Sequence, residues 1–347
     1  MMKNPAKPLV EWYKAAARDL PWRETRNPYF IWISEIILQQ TRVAQGTDYY
    51  LRFIKQFPDV QSLANASLDQ VLKQWEGLGY YSRARNLHHS AKEVANERKG
   101  VFPTHYKEWE TLKGIGPYTA RAIGSIVNGN KVAVVDGNVF RVLSRYLGDF
   151  SPINQVSTKQ KFQEILDNWI QKADPLHFNQ GMMELGATIC LPRNPVCGKC
   201  PLQKNCVALK DGSVHLLPVK DEKAARKTKY FQFYLTYNSS GKFMIRRRPE
   251  NAGIWAGLFE IPNEEVAENQ WNKGIEGDLL LGEMKHVFTH FDMKIKVYKQ
   301  SRKLNSKIGE QFIDRSEIRI FAFSRAVQKI FSSFLEPEKM KNGKIRS

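Results

Sequence analysis

The sequence predicts a multidomain protein: an all-α domain that ends in a metal-binding cysteine loop, followed by a smaller α+β domain. Three observations lead there. From about Pro8 to Cys206 apolar residues recur at helical spacing between Gly- and Pro-marked turns. The chain has 4 cysteines in 347 residues, and all of them fall between Cys190 and Cys206. Beyond the charged, proline-bearing stretch Lys210 to Lys229, the periodicity shortens to that of strands. The expected division is a helical domain over 1–209, a linker over 210–229 and an α+β domain over 230–347.

Within the first domain, helices are expected over Tyr29 to Gln40, Leu68 to Trp75, Ala84 to Asn96, Tyr118 to Val127 and Lys159 to Gln171. In the second, Tyr230 to Tyr237 and Lys242 to Arg248 read as strands joined through Asn238-Ser239-Ser240-Gly241, a hairpin signal. Met293 to Tyr298 alternates as a further strand, and one amphipathic helix is expected over Arg315 to Leu335. A hydrophobic content of 42% excludes a disordered chain, and no apolar run reaches membrane-span length. A net charge of +18 points to a polyanionic partner, against the plainer reading of charge kept for solubility. Met1 to Leu20 carries no apolar export segment, so disulfides are not expected and a bacterial cytoplasmic location is.

The cysteine run is Cys190-x6-Cys197-x2-Cys200-x5-Cys206. Four thiolates so spaced suit either a cubane [4Fe–4S] cluster or one tetrahedral zinc. Structural zinc sites usually show two tight pairs, and only Cys197/Cys200 is tight here, so the spacing favours iron–sulfur. Leu112 to Ala120 (LKGIGPYTA) sets Gly114 and Gly116 between two helical segments. Such glycines let backbone N–H groups approach a phosphate at a helix start, the pattern of a helix–hairpin–helix; alone, the turn is equally a helix C-cap.

Two acids complete the chemical pattern. Val132 to Val135 drives its segment into a core and delivers Asp136 at the start of a helix over Val139 to Leu147. There it would accept backbone N–H bonds and stay ionised, or serve only as an ordinary N-cap. Glu35 lies in the apolar stretch Ile31 to Leu38 and either points to water or is held partly dry, where its pKa would rise. One protonated carboxyl and one ionised carboxylate is the division of labour that glycosidic cleavage requires.

SEIILQQTRV (Ser34 to Val43), GLGYYSRARNLH (Gly77 to His88), GIGPYTA (Gly114 to Ala120), VDGNVFRV (Val135 to Val142) and the cysteine run together resemble the MutY family of adenine DNA glycosylases, which shares the helix–hairpin–helix superfamily with endonuclease III. The likeness covers most of Trp12 to Cys206. RRPENAGIWAGLFEIP (Arg247 to Pro262) with HVFTH (His286 to His290) resembles that family's C-terminal 8-oxoguanine-recognition domain, which is Nudix-like.

The resemblance implies a monomeric enzyme of base excision repair that removes adenine mispaired with 8-oxoguanine or guanine in duplex DNA and carries a [4Fe–4S] cluster. By position, Glu35 would protonate adenine N7 and Asp136 would stabilise or transiently capture the sugar cation. Tyr118 and Asn138 would support Asp136, with Arg23 and Gln180 near the flipped base. Gln40, Thr41, Leu78 and Tyr80 would enter the duplex and meet the 8-oxoguanine side, while Phe288, Thr289 and His290 would read that base. Threonine departs from the serine frequent in the family. Around the cluster, Arg193, Lys199 and Lys204 would face phosphate or form an ordinary solvated surface.

Two further features bear on reaction class. Bifunctional members of the superfamily use a lysine nucleophile where this chain has Tyr118, and a phenol forms no imine; the nearest amines, Lys113 and Lys131, sit elsewhere. Hydrolysis without strand scission is therefore expected. Nudix hydrolysis needs a helix bearing several metal-binding glutamates, and Glu264, Glu265 and Glu268 lack that array, so they read as a solvated helix face.

Overall fold

The computed structural model describes residues 3–221, 225–273, 275, 277–300 and 309–335. The chain forms two compact units, Met1–Ala66 with Asn86–Lys223, and Ser67–Arg85 with Ala224–Ser347. Among the described residues no helix is long and apolar enough to cross a membrane.

The first unit is helical throughout. Its frame includes helices Ala6–Ala16, Pro28–Leu38, Val43–Gln56, Pro117–Val127, Gly137–Leu147, Val156–Ile170 and Pro175–Thr188. One core joins Leu9, Val139, Val142, Leu143, Phe162, Leu166, Phe178, Met182 and Leu185, all at or below 3% exposure. Helices Ala6–Ala16 and Pro175–Thr188 approach closely at Gly181, where a Cβ would lie 3.2 Å from Tyr13 Cβ. Helix Gly137–Leu147 is fixed at both ends: Asp136 caps it, and Gly148 closes it in the left-handed conformation, φ +66°. The expected helix over Ala84 to Asn96 begins at Ser82 and ends as a π-helical turn, Glu93–Glu97.

Among the described residues the second unit has seven strands: β1 (Lys227–Thr236), β2 (Phe243–Arg247), β3 (Phe259–Glu260), β4 (Asn263–Val266), β5 (Leu279–Val287), β6 (Phe291–Gln300) and β7 (Glu310–Ile313). They form one mixed sheet of order β4-β1-β6-β5 and one antiparallel sheet of order β3-β2-β7. Period-two alternation sends Phe231, Phe233 and Leu235 of β1 and Phe291, Met293, Ile295 and Val297 of β6 into one core, closed by Ala326, Val327, Ile330 and Phe331. Segment Ser67–Arg85 is hydrogen-bonded into this unit. Lys73 donates to Phe321 O at 2.9 Å, Tyr81 Oη to Phe323 O at 3.1 Å, and Arg85 to Ala256 O at 2.7 Å.

Three local expectations are corrected. The turn after β1 forms, closed by the Tyr237–Phe243 bridge, but β1 and β2 then enter different sheets, because each pairs along its length with more distant strands. The expected helix over Arg315 to Leu335 is two elements. A 3₁₀ turn, Arg315–Ile320, is capped reciprocally by Asp314 and Glu317; Ser324 then caps a new helix, Arg325–Phe334. Glu264 and Glu265 lie on β4, not on a helix, and pair with Tyr234 and Lys229; Glu268 opens a short helix and accepts from Tyr230.

Phe233 is fully buried at the centre of this core. Phe233→Ala is expected to lower the stability of the second unit by about 3–5 kcal/mol, read from urea denaturation followed by tryptophan fluorescence.

Candidate active site

Helix Pro28–Leu38 is started by Asn27, whose side chain accepts from Tyr29 N, and by Pro28 at its first position. Its apolar residues are buried on nearly every side, and Glu35 is carried among them with only partial access to water. Burial first, and then the Asp136 charge, push its carboxyl up to about 7. Asp136 arrives from the other direction, at the N-cap of Gly137–Leu147. Its Oδ1 accepts from Val139 N at 2.7 Å and its Oδ2 from Asn138 Nδ2 at 3.0 Å.

These cap bonds favour the ionised form of Asp136. Burial outweighs them, and its pKa is raised. Glu35 carries the larger upward effect because it has no comparable donors among its causes. The Tyr118 phenol is raised well above its usual value, by burial and then by Glu35 and Asp136, and donates to Met183 Sδ at 3.3 Å. Glu35, Asp136 and Tyr118 thus share one electrostatic environment, and Asn138 touches it directly.

Arg141, one turn beyond Gly137, holds this end of the helix. It donates to Asn138 Oδ1 at 2.9 Å, to Gly186 O at 2.7 Å and to Cys190 O at 2.7 Å. A Cβ on Gly186 would fall 2.6 Å from Asn138 Cβ, so only glycine lets helix Pro175–Thr188 pack there.

Arg23 and Gln180 belong to a neighbouring network with existing partners. Glu184, 1% exposed, accepts from Arg18 Nε at 2.7 Å and Arg23 Nη2 at 2.8 Å, while Gln180 accepts from Tyr13 Oη. Burial raises the Glu184 carboxyl, but the two guanidinium groups win and hold it at about 2. Tyr13, Arg18 and Glu184 were missed in the sequence; the i,i+4 spacing of Gln180 and Glu184 was the available signal.

The two glycines of the hairpin differ. Gly114 has φ +87°, and a Cβ there would lie 2.5 Å from Asn86 Cβ, so the fold requires it. At Gly116, which caps helix Pro117–Val127 in extended backbone, a Cβ would meet nothing within 4 Å. The fold leaves that position open.

Gln40 and Thr41 follow helix Pro28–Leu38 in the first unit, with Gln40 exposed and at φ +55°. Leu78 and Tyr80 belong to the second unit. Tyr80 is 44% exposed at φ +48°, with Arg83 over its ring, whereas Tyr81 is buried. In that unit Leu78, Tyr80, Phe288, Thr289 and His290 line one pocket of about 400 Å³. The structure therefore brings five residues singled out from two distant motifs to a single cavity.

All four cysteines line a separate cavity with Arg145, Ile189, Leu209 and Val214. Arg145 Nη1 donates to Cys190 Sγ at 3.3 Å. Burial pushes the Cys200 thiol up to about 12, so a thiolate there calls for a cation beside it. Among the described residues no three His, Cys, Asp or Glu groups come together to hold a metal ion. Four sulfurs around one apolar-walled cavity fit a cluster that gives each thiolate its own iron better than a single ion. Arg193, Lys199 and Lys204 are exposed on this loop.

The family model for HhH-GPD superfamily base excision DNA repair proteins matches residues 33–172, and a NUDIX domain model matches residues 232–333. Fold and site together define a DNA N-glycosylase of base excision repair with a Nudix-like second domain. The adenine DNA glycosylase of Buchnera aphidicola subsp. Baizongia pistaciae is 36% identical, covering 83% of this chain and 83% of its own. The human adenine DNA glycosylase is 32% identical, covering 93% of this chain and 72% of its own. A solved thermostable thymine-DNA glycosylase aligns with TM-score 0.54 and 30% identity, over 59% of this chain and 94% of its own. The chain belongs to the adenine DNA glycosylase family.

Because the folded pKa of Glu35, about 7, lies above its ordinary 4.5, the group favours the fold fully below 4.5, and that contribution is lost as pH rises through 7. Glu35→Gln is thus expected to gain stability over wild type between pH 5 and pH 8, by on the order of 3 kcal/mol; parallel urea titrations check it. For the hairpin, Gly114→Ala is expected to lower the melting temperature and Gly116→Ala to leave it unchanged, both measured by calorimetry.

Proposed function

We propose that this chain hydrolyses the N-glycosidic bond of adenine paired with 8-oxoguanine or guanine, and that it does so without cutting the strand. The carrying observation is Glu35, a carboxyl raised to about 7 beside Asp136 and Tyr118. A group of that acidity is half protonated near neutral pH and so serves as a general acid.

Glu35 transfers its proton to adenine N7, and the electron pair of the C1′–N9 bond moves into the departing base. Asp136, held by Val139 N and Asn138, faces the positive charge left on the sugar and stabilises or transiently captures it. Water then adds to C1′, and its proton returns to the Glu35 carboxylate. Tyr118 shares the electrostatic environment of both acids; as a phenol it offers no amine for an imine, which supports hydrolysis alone. Arg23 and Gln180 border the extruded base, and their partners Glu184 and Tyr13 hold them still.

Leu78 and Tyr80 wedge into the duplex, fill the gap left by the flipped nucleotide and meet the opposite base, which offsets an extrusion cost of a few kcal/mol. Their shared pocket with Phe288, Thr289 and His290 supports reading of 8-oxoguanine there. Gln40 and Thr41 enter the duplex from the first unit. The Gly114–Gly116 hairpin, Lys199 and the other exposed basic residues grip phosphate, in keeping with the net charge of +18. Cys190, Cys197, Cys200 and Cys206 would hold a [4Fe–4S] cluster. When bound it ties the loop together and supplies no electron to a hydrolysis.

One duplex assay tests the reading. With adenine opposite 8-oxoguanine, breaks are expected only after alkali; breaks without alkali would reveal a lyase, and none under either condition would remove the assigned substrate. The rate is expected to fall as pH rises above about 7, and Glu35→Gln to lose excision while still shifting the duplex in a gel.

A further inference from the structure

Trp255 stands out among the residues lining the pocket of Tyr80 and Thr289. Among the described residues five that are not glycine have positive φ, and two of them, Tyr80 at +48° and Trp255 at +59°, border this one cavity. For a bulky aromatic residue this backbone region is strained, by on the order of 1–3 kcal/mol, and such strain persists only where the surroundings impose it.

The surroundings are explicit. Leu258 N donates to Trp255 O at 3.1 Å, Gly257 N to Arg248 O at 3.2 Å, and Arg248 N to Leu258 O at 2.9 Å, a closed turn beside β2 and β3. Arg85 Nη1 donates to Ala256 O at 2.7 Å and itself lines the pocket. The turn is therefore fastened to the segment that carries Leu78 and Tyr80. The indole that this turn projects lies 5.5 Å from the Phe288 ring and 6.0 Å from His286. Phe288 stacks on Phe291 from another direction, at 4.4 Å and 17°. Phe288 is thus held by Trp255 and Phe291 together, and Thr289 follows it directly. Among the described residues Thr289 Oγ1 has one exposed, long contact, to His290 Nδ1 at 3.4 Å. Its placement depends on its neighbour.

We propose that Trp255 is a positioning residue for recognition of the opposite base: its strained turn sets the Phe288 ring, and that ring sets where Thr289 presents its hydroxyl. The inference rests on the reading of Phe288, Thr289 and His290 as the 8-oxoguanine site. The same turn, through Arg85, keeps that loop in register with Tyr80.

The test compares wild type, Trp255→Gly, Trp255→Phe and Thr289→Ala in single-turnover excision of adenine opposite 8-oxoguanine and opposite guanine. Glycine adopts positive φ without strain, so Trp255→Gly is expected to remain folded, with a melting temperature not far below wild type. Its preference for 8-oxoguanine over guanine is expected to fall by roughly 10-fold or more. Trp255→Phe, which keeps a ring at the position, is expected to recover most of that preference. An unchanged preference in a folded Trp255→Gly, or equal loss with phenylalanine and glycine, overturns the proposal. If wild type shows no preference, or Thr289→Ala retains it in full, the underlying assignment of the recognition loop fails instead.

Discussion

A carboxyl group deprived of water beside a second carboxyl is the constraint around which the first unit is built. Removing an ionised carboxylate from water is expensive, and protonation is the usual escape. Glu35 takes that route because burial strips its water and because the Asp136 charge lies nearby. Asp136 has two hydrogen-bond donors and so bears its charge more easily. Two chemically similar acids diverge in behaviour through what surrounds them.

Keeping that arrangement in place engages much of the helical frame. Gly186 admits the helix Pro175–Thr188 against Asn138, Arg141 ties Asn138 to the backbone beyond it, and Gly148 closes the far end of the same helix. Nearby, Arg18 and Arg23 neutralise Glu184, which would otherwise be an uncompensated buried charge. In the second unit the equivalent labour falls to aromatic packing: Phe288, Phe291 and Trp255 fix a loop whose polar side chains have few partners of their own.

What was legible in the sequence was what depends on local pattern. Helical periodicity located Pro28–Leu38, Leu68–Gln74, Pro117–Val127, Gly137–Leu147 and Val156–Ile170 to within a few residues, while Ala6–Ala16, Val43–Gln56 and Pro175–Thr188 were not assigned individually. The cap at Asp136 followed from an apolar run ending in Asp-Gly-Asn, and the grouped cysteines declared one site. What depends on distant partners was not legible. The β1–β2 turn looks like a hairpin until β4, β6, β3 and β7 compete for the same backbone groups. The break between Arg315–Ile320 and Arg325–Phe334 is set by local caps, Asp314 and Ser324, that an amphipathic stripe conceals. The cap at Asp136 is visible in sequence, whereas the burial that raises its pKa is not. Glu184 gave no sign beyond its spacing from Gln180, since its arginines come from the opposite end of the domain.

Helix Gly137–Leu147 has a property that follows from its side-chain spacing. Asp136 sits at its head, Arg141 reaches the backbone of Cys190, and Arg145, one turn further, reaches Cys190 Sγ, Leu191 O and Pro192 O. The acid and the cysteine loop are therefore graduations on one rigid ruler, 11 residues long. The catalytic acid thus shares its metrology with the four-cysteine loop, so an error in the length or closure of that loop is transmitted as an angular error at the sugar.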